Sequence, residues 1–477
     1  MSLWSYRNGK FIRAIECKTY FVYSFYVQST MKAILCLICF CWVTFIHAQG
    51  LFQIAGKKPR SFKFELVNHV VLVPLTINGI GFTFLLDTGV KETILFANTE
   101  DSLYLNNQNK MRFYGIGIED GIDGILSTGN VVTVGNVAVD SLHWLYVIQA
   151  HELDISSNVG VSINGILGSK FFNSFPLKID YIKSRITVYP PSHNYEKAVR
   201  GYEKLPLEIE NDRPYIQAAI QLGNRWVNGK MLMDMGNTDA FMLFPFLLPD
   251  FYVNEPYVEE YIGRGFNGAI YGKRNRARRA AIQGFELDYP IVAYPDSNAV
   301  FMTKLASQRI GSVGNQALQR FHLLLDYGSK EMYVKKNKWF KKPFLLNMAG
   351  MDVKHDGMIW SREIITAQRP KPEREGLVGA DQGVTINLNN SNMQYKFVLR
   401  PSYKVVGLRK NSPAENASVK VGDTLLKING VNAGSLSLPK LLGKLQTHPD
   451  DEIRLLLRRG EEEVHVRFLL VDPIPYR

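Results

Sequence analysis

The chain has 477 residues and a net charge of +12, with 46% hydrophobic, 12% aromatic and 21% charged residues. That is globular composition with room for two or three domains, and its aromatic content argues against long disorder. The basic excess is moderate. With no zinc-finger spacing, RNP-like pattern or helical basic stripe beside it, nucleic acid is not an expected partner.

All 4 cysteines, Cys17, Cys36, Cys39 and Cys41, fall near the N-terminus. Met31-Lys32, an apolar run from Ala33 to Ile46 and His47-Ala48-Gln49 follow the order of a secretory signal peptide. The run is short for a membrane span. Residues 1–48 are therefore expected to be an upstream extension plus signal peptide starting at Met31, with no stable transmembrane span after cleavage. Removing them leaves 51 basic against 43 acidic residues and no cysteine. The expected location is the periplasm, cell envelope or exterior, and thiol chemistry and Cys-ligated zinc drop out.

From Phe62 to Val73 the pattern is strand-like, and Val73 to Gly79 reads as a strand entering an Asn-Gly hairpin turn. The return strand, Phe82 to Leu86, delivers Asp87 into Thr88-Gly89, and Ile94-Leu95-Phe96 follows. An isolated Asp-Thr-Gly is most simply a turn. Gly115-Ile116-Gly117 lacks the third glycine and the helix of a dinucleotide site, so no cofactor is expected. Next come Asn164-Gly165-Ile166-Leu167-Gly168, then strands around Leu177 and Ile186.

The pattern then recurs. Val227-Asn228-Gly229 is a turn, Lys230 to Met233 is apolar in texture, and Asp234-Met235-Gly236 stands 147 residues after Asp87. Gly311 and Gly314 answer Gly165 and Gly168, Phe321 answers Phe175, and Asp326-Tyr327 answers Asp180-Tyr181. Several matches in one order imply two copies of a β-rich unit, residues 49–200 and 201–342. Two facing carboxylates share one proton and split their pKa values, which supplies both a base and an acid for attack by water on an amide. A glycine after each acid gives access. No Gly-x-Ser-x-Gly elbow or histidine zinc pattern competes, and no metal is expected.

On Leu85 to Gly89, Asn164 to Gly168 and Leu232 to Gly236, the chain resembles bilobal aspartic peptidases of the retropepsin-like and pepsin-like class. The resemblance implies a mainly β fold with two tandem β-barrel lobes. It carries the catalytic role to Asp87 and Asp234, and support of the active-site turns to Thr88, Gly89 and Gly236. Phe113 to Asn130 and Gly263 to Arg276 are flap candidates by position. Met235 replaces the family's hydroxyl residue, so half of the hydrogen-bonded grip between the turns is expected to be lost. Val90 likewise offers no hydroxyl, which implies activity at mildly rather than strongly acidic pH.

After Lys342 the texture changes. Ser412-Pro413-Ala414-Glu415-Asn416-Ala417 opens a capped short helix, Gly422 to Gly430 is a turn-strand-turn, and Leu438, Leu441, Leu442 and Leu445 stripe one helix face. A closing hairpin runs through Arg459-Gly460. Residues 343–477 resemble an α+β bacterial PDZ domain interrupted by a polar insertion around Arg369 to Asn392. The resemblance implies a C-terminal peptide ligand, and Ala349-Gly350-Met351 is the candidate carboxylate loop. The stripe is expected to be mostly core.

The expected function is an exported aspartic endopeptidase acting on polypeptide, with a PDZ module for docking. The alternative is a degenerate peptidase fold that only binds peptides. The basic run Lys273 to Arg279 is expected to be a solvated hairpin or loop, with an anionic surface as the sharper alternative.

Overall fold

The computed structural model describes residues 50–477, apart from 98–103, 114–121, 150–155, 157–158, 266–267, 298–304, 367–383, 387–392 and 476–477. The signal-peptide expectation lies outside the described residues, as does most of the expected polar insertion. Residues 51–477 pack as a single unit. No described helix is long and apolar enough to cross a membrane.

The fold is mainly β. Strand Val70–Ile77 turns at Asn78 and Gly79, whose φ values are +48° and +90°, the left-handed pair that a tight hairpin needs. The return strand Ile80–Leu86 pairs antiparallel with it and parallel with Gly165–Leu167, which pairs in turn with Thr93–Ala97. These belong to a nine-stranded sheet. A ten-stranded sheet repeats the arrangement: Arg213–Leu222 pairs antiparallel with Arg225–Asp234, turning at Gly223-Asn224 and not at the expected Val227-Asn228-Gly229, which lie within the second strand. That strand runs parallel to Arg309–Gly314, which pairs with Phe241–Leu243.

A six-stranded sheet joins the two regions, with Leu177–Asp180 laid antiparallel against Phe321–Asp326. Its buried residues, among them Ile179, Leu323 and Leu325, belong to one apolar core that also takes in Leu86 and Met233 beneath the two Asp-x-Gly turns. Burial on this scale makes the turns rigid.

The last sheet has seven strands and its own core, built around Met351, Val405, Leu425, Leu441 and Leu455. Two strands dominate it, Met351–Thr366 and Met393–Leu408. Ser412 accepts the Glu415 N–H at 3.3 Å and Pro413 takes the first helical position, as the sequence implies. Leu438, Leu441 and Leu445 are buried, whereas Leu442 is only partly covered.

Candidate active site

Asp87 follows strand Ile80–Leu86, and Asp234 ends strand Arg225–Asp234. Each is braced by the parallel strand beside it. The Asp87 N–H donates to the Leu167 carbonyl at 3.0 Å, and Asp234 pairs in register with Gly314. The carboxyls are fixed by backbone donors, Gly89 N–H to Asp87 Oδ1 at 2.7 Å, and the Gly236 and Asn237 N–H groups to Asp234 Oδ1 at 3.2 and 3.1 Å.

The structure brings the two acids into contact, each carboxyl against the other's glycine. A Cβ on Gly236 would stand 2.3 Å from Asp87 Oδ2, and one on Gly89 would stand 2.9 Å from Asp234 Oδ1. Only glycine admits that approach. Asp87 is 8% exposed. Burial, then the neighbouring Asp234 charge, pushes the Asp87 carboxyl up to about 7. Burial also raises Asp234, opposed first by the charge of Arg309, then by the Asn237 and Gly236 N–H groups and a hydrogen bond with Asp87. The pair titrates as a unit, one proton shared between two acids.

Half of the expected grip is present. Thr88 is fully buried; its hydroxyl donates to the Met233 carbonyl at 2.5 Å and accepts the Met235 N–H at 3.0 Å. Met235 sends a fully buried side chain into the core instead of a hydroxyl across the junction. Two buried hydrogen bonds from one residue still tie turn to turn.

A cleft of about 2420 Å³ holds the dyad. The hairpin of strands Tyr257–Gly265 and Gly268–Arg276 lines it through residues such as Ile262 and Tyr271, so this flap candidate borders the cleft that holds the acids. The other candidate, Phe113 to Asn130, contributes no described lining residue. The cleft also reaches the C-terminal domain, where Asn347, Gly350, Val353 and Leu442 line it. The groove between strand Met351–Thr366 and helix Leu438–Lys444 therefore opens into the space that holds the dyad.

Ala349-Gly350-Met351 stands at the head of that strand, with Gly350 at φ +69°. Its donors are occupied from within: Asn347 Oδ1 accepts the Ala349 and Gly350 N–H groups, both at 3.1 Å. Met351 is fully buried. A carboxylate entering this loop has to displace the Asn347 side chain.

The solvated reading of Lys273 to Arg279 is corrected. Arg274 is buried and the Arg276 side chain is largely covered, because each meets acids and carbonyls supplied by distant segments. Arg274 bonds Asp239 at 3.1 Å, Glu260 at 2.6 Å and the Ile262 carbonyl at 2.9 Å; Arg276 bonds Asp472 at 3.2 Å and the Ile474 carbonyl at 3.0 Å. Glu260 also bonds Arg409, which follows the strand Met393–Leu408, at 3.1 Å. This network reaches from the Asp234 turn to the C-terminal domain. Arg279 stays exposed, beside Glu286 at 3.2 Å.

Sequence reasoning missed Arg213 and Arg309, which line the cleft beside the acids. Nothing in the sequence singled them out: the Arg213 position follows from the observed register, in which continuing the Tyr215–Leu232 pairing by two residues sets Arg213 opposite Asp234.

A family model described as an aspartyl protease matches residues 73–171, and one described as a PDZ domain matches residues 404–459. Proteins named as probable CtpA-like serine proteases from several strains of Staphylococcus aureus, among them COL, MRSA252 and N315, are 27% identical over 105 residues. That match spans 22% of this chain and 20% of the relative's length. Together the matches support a protease that carries a PDZ domain.

Proposed function

We propose that this chain is an aspartic endopeptidase that works through Asp87 and Asp234. The observation behind the reading is the meeting of the two carboxyls, each packed on the other's glycine and tied by Thr88. In this reading Asp87, raised by burial and by the Asp234 charge, holds the shared proton and donates a hydrogen bond to the scissile carbonyl. Asp234, stabilised as an anion by Arg309 and two backbone N–H groups, takes a proton from the attacking water. Hydroxide adds to the carbonyl carbon and the carbonyl oxygen gains the Asp87 proton. The C–N bond of the resulting gem-diol then breaks as Asp234 gives its proton to nitrogen and one hydroxyl returns a proton to Asp87, leaving a carboxylic acid and an amine. Atoms and charge balance without a cofactor.

We also read residues 49–200 and 201–342 as copies of one unit, and the protein as exported. Detection of a mature chain lacking residues 1–48 outside the cytoplasm tests the export reading.

Purified chain is expected to cleave unfolded polypeptide, to lose at least a hundredfold in rate on Asp87→Asn or Asp234→Asn, and to be blocked by a pepstatin-type inhibitor. Equal cleavage by both variants would sink the dyad. Met235 favours one other reading, a peptide-binding protein without turnover, which predicts that peptides bind but are never cut. Inhibition by a serine-directed reagent would instead align the chain with its staphylococcal relatives.

A further inference from the structure

The two sides of the cleft differ in charge at positions that the strand pairing makes equivalent. Extending the Leu72–Leu85 pairing sets Val70 opposite Asp87, as extending Tyr215–Leu232 sets Arg213 opposite Asp234. Arg309 pairs with Lys230 in the parallel strand, beside a register shift, and the first sheet sets the neutral Asn164 against Thr83 at the equivalent place. Val70 is buried at 2% exposure in a small apolar cluster with Leu85, Ile94, Ile148 and Ile166, all of which line the cleft. The Asp87 side thus places an apolar cluster and no arginine where the Asp234 side carries two guanidinium groups.

Those guanidinium groups have no carboxylate bound to them among the described residues. Arg213 Nε is buried without a hydrogen-bond partner. Arg309 spends its Nε on the Gly311 carbonyl at 3.0 Å and lies 5.2 Å over the Phe244 ring, which fixes the plane of the guanidinium. The acids on the same side are taken elsewhere: Asp239 and Glu260 are both bonded to Arg274. Both arginines are half-buried in the cleft, and a partly desolvated guanidinium with unused donors suits a carboxylate ligand.

We infer that Arg213 and Arg309 form a carboxylate subsite beside the dyad, so that the preferred substrate places an acidic residue on the Asp234 side of the scissile bond and an apolar one on the Asp87 side. The inference rests on the peptidase reading for the bond that is cut, but not for the binding. A peptide's free C-terminal carboxylate has the same chemistry as a glutamate side chain and fits the same donors.

The test separates these points. Matched peptides carrying Leu-Glu or Leu-Gln at the centre are titrated by fluorescence anisotropy against the full chain bearing Asp87→Asn, so that binding is read without turnover. Shorter peptides ending at the second position, free or amidated, accompany them. The Glu peptide is expected to bind on the order of ten- to a hundredfold tighter than the Gln peptide. Adding Arg213→Leu and Arg309→Leu should bring that ratio close to one, while Arg213→Lys and Arg309→Lys should keep part of it and report on folding. In the chain with its dyad intact, the same preference should appear chiefly in KM.

A preference confined to free C-termini would support the subsite and assign a chain end as its ligand. Equal binding of Glu and Gln peptides, no binding of either, or a ratio unmoved by the double substitution would overturn it. Glu-selective binding without any cleavage would defeat the peptidase reading alone. Cleavage without Glu selectivity would defeat only the subsite.

Discussion

Replacing Asp87 by Asn tests the electrostatics of the dyad independently of catalysis. In the fold the Asp87 carboxyl is held at about 7 against an ordinary value of 3.8, mainly by burial and then by Asp234. A raised acid favours the protonated form on folding, so its contribution is fully present below about pH 4 and is lost as pH rises through about 7. A shift of roughly three units corresponds to about 4 kcal/mol. Asn keeps the shape and an oxygen for the Gly89 N–H, but carries no charge at any pH. The stability of Asp87→Asn relative to the unsubstituted protein should therefore grow by about 4 kcal/mol between about pH 4 and about pH 8. Urea denaturation followed by circular dichroism at several pH values reads this difference. A difference that stays flat within about 1 kcal/mol would refute the reasoning, because an uncoupled, hydrated carboxyl shows no such slope.

The same shift sets the pH–rate profile: activity needs one proton on the pair, so the alkaline limb should fall near about 7. An optimum near about pH 2 would contradict it. Gly236→Ala should abolish cleavage while leaving secondary structure intact, since its Cβ would stand 2.3 Å from Asp87 Oδ2; full activity would mean that the carboxyls are not packed as described. Thr88→Val, nearly isosteric, leaves the Met233 carbonyl and Met235 N–H buried without their partner, and should cost about 2–4 kcal/mol along with most of the activity. Arg274→Met strands Asp239 and leaves Glu260 with Arg409 alone, and should cost about 3–5 kcal/mol of stability in urea denaturation; a change under about 1 kcal/mol would show that the network is solvated.

Local chemistry was legible in the residues themselves. Asn78-Gly79 specifies a turn because both positions need positive φ, and Ser412-Pro413 specifies a helix start through one oxygen and one missing N–H. Ile80–Leu86 and Arg225–Asp234 are strands because their ends are continuous apolar runs. Asp87 and Asp234, 147 positions apart, were singled out by the recurrence of such local signals. Their contact depends on two sheets facing each other, and no periodicity records that. The same holds for Thr88, whose hydroxyl finds partners 145 and 147 residues away. Charge was the hardest property to read. A guanidinium is solvated or buried according to what other segments bring to it, so Arg274 and Arg276 looked like surface residues, and Arg213 and Arg309 carried no signal at all. The sequence by itself determined most of the strands and the turn at Asn78-Gly79, since those follow from φ preferences and side-chain alternation within a few residues. It misplaced the second hairpin turn, which falls at Gly223-Asn224 and not at Asn228-Gly229. Tertiary structure alone decided that two turns share one cleft, that one wall of it is cationic, and that the PDZ groove opens into it, because each depends on long-range packing and on the burial it imposes.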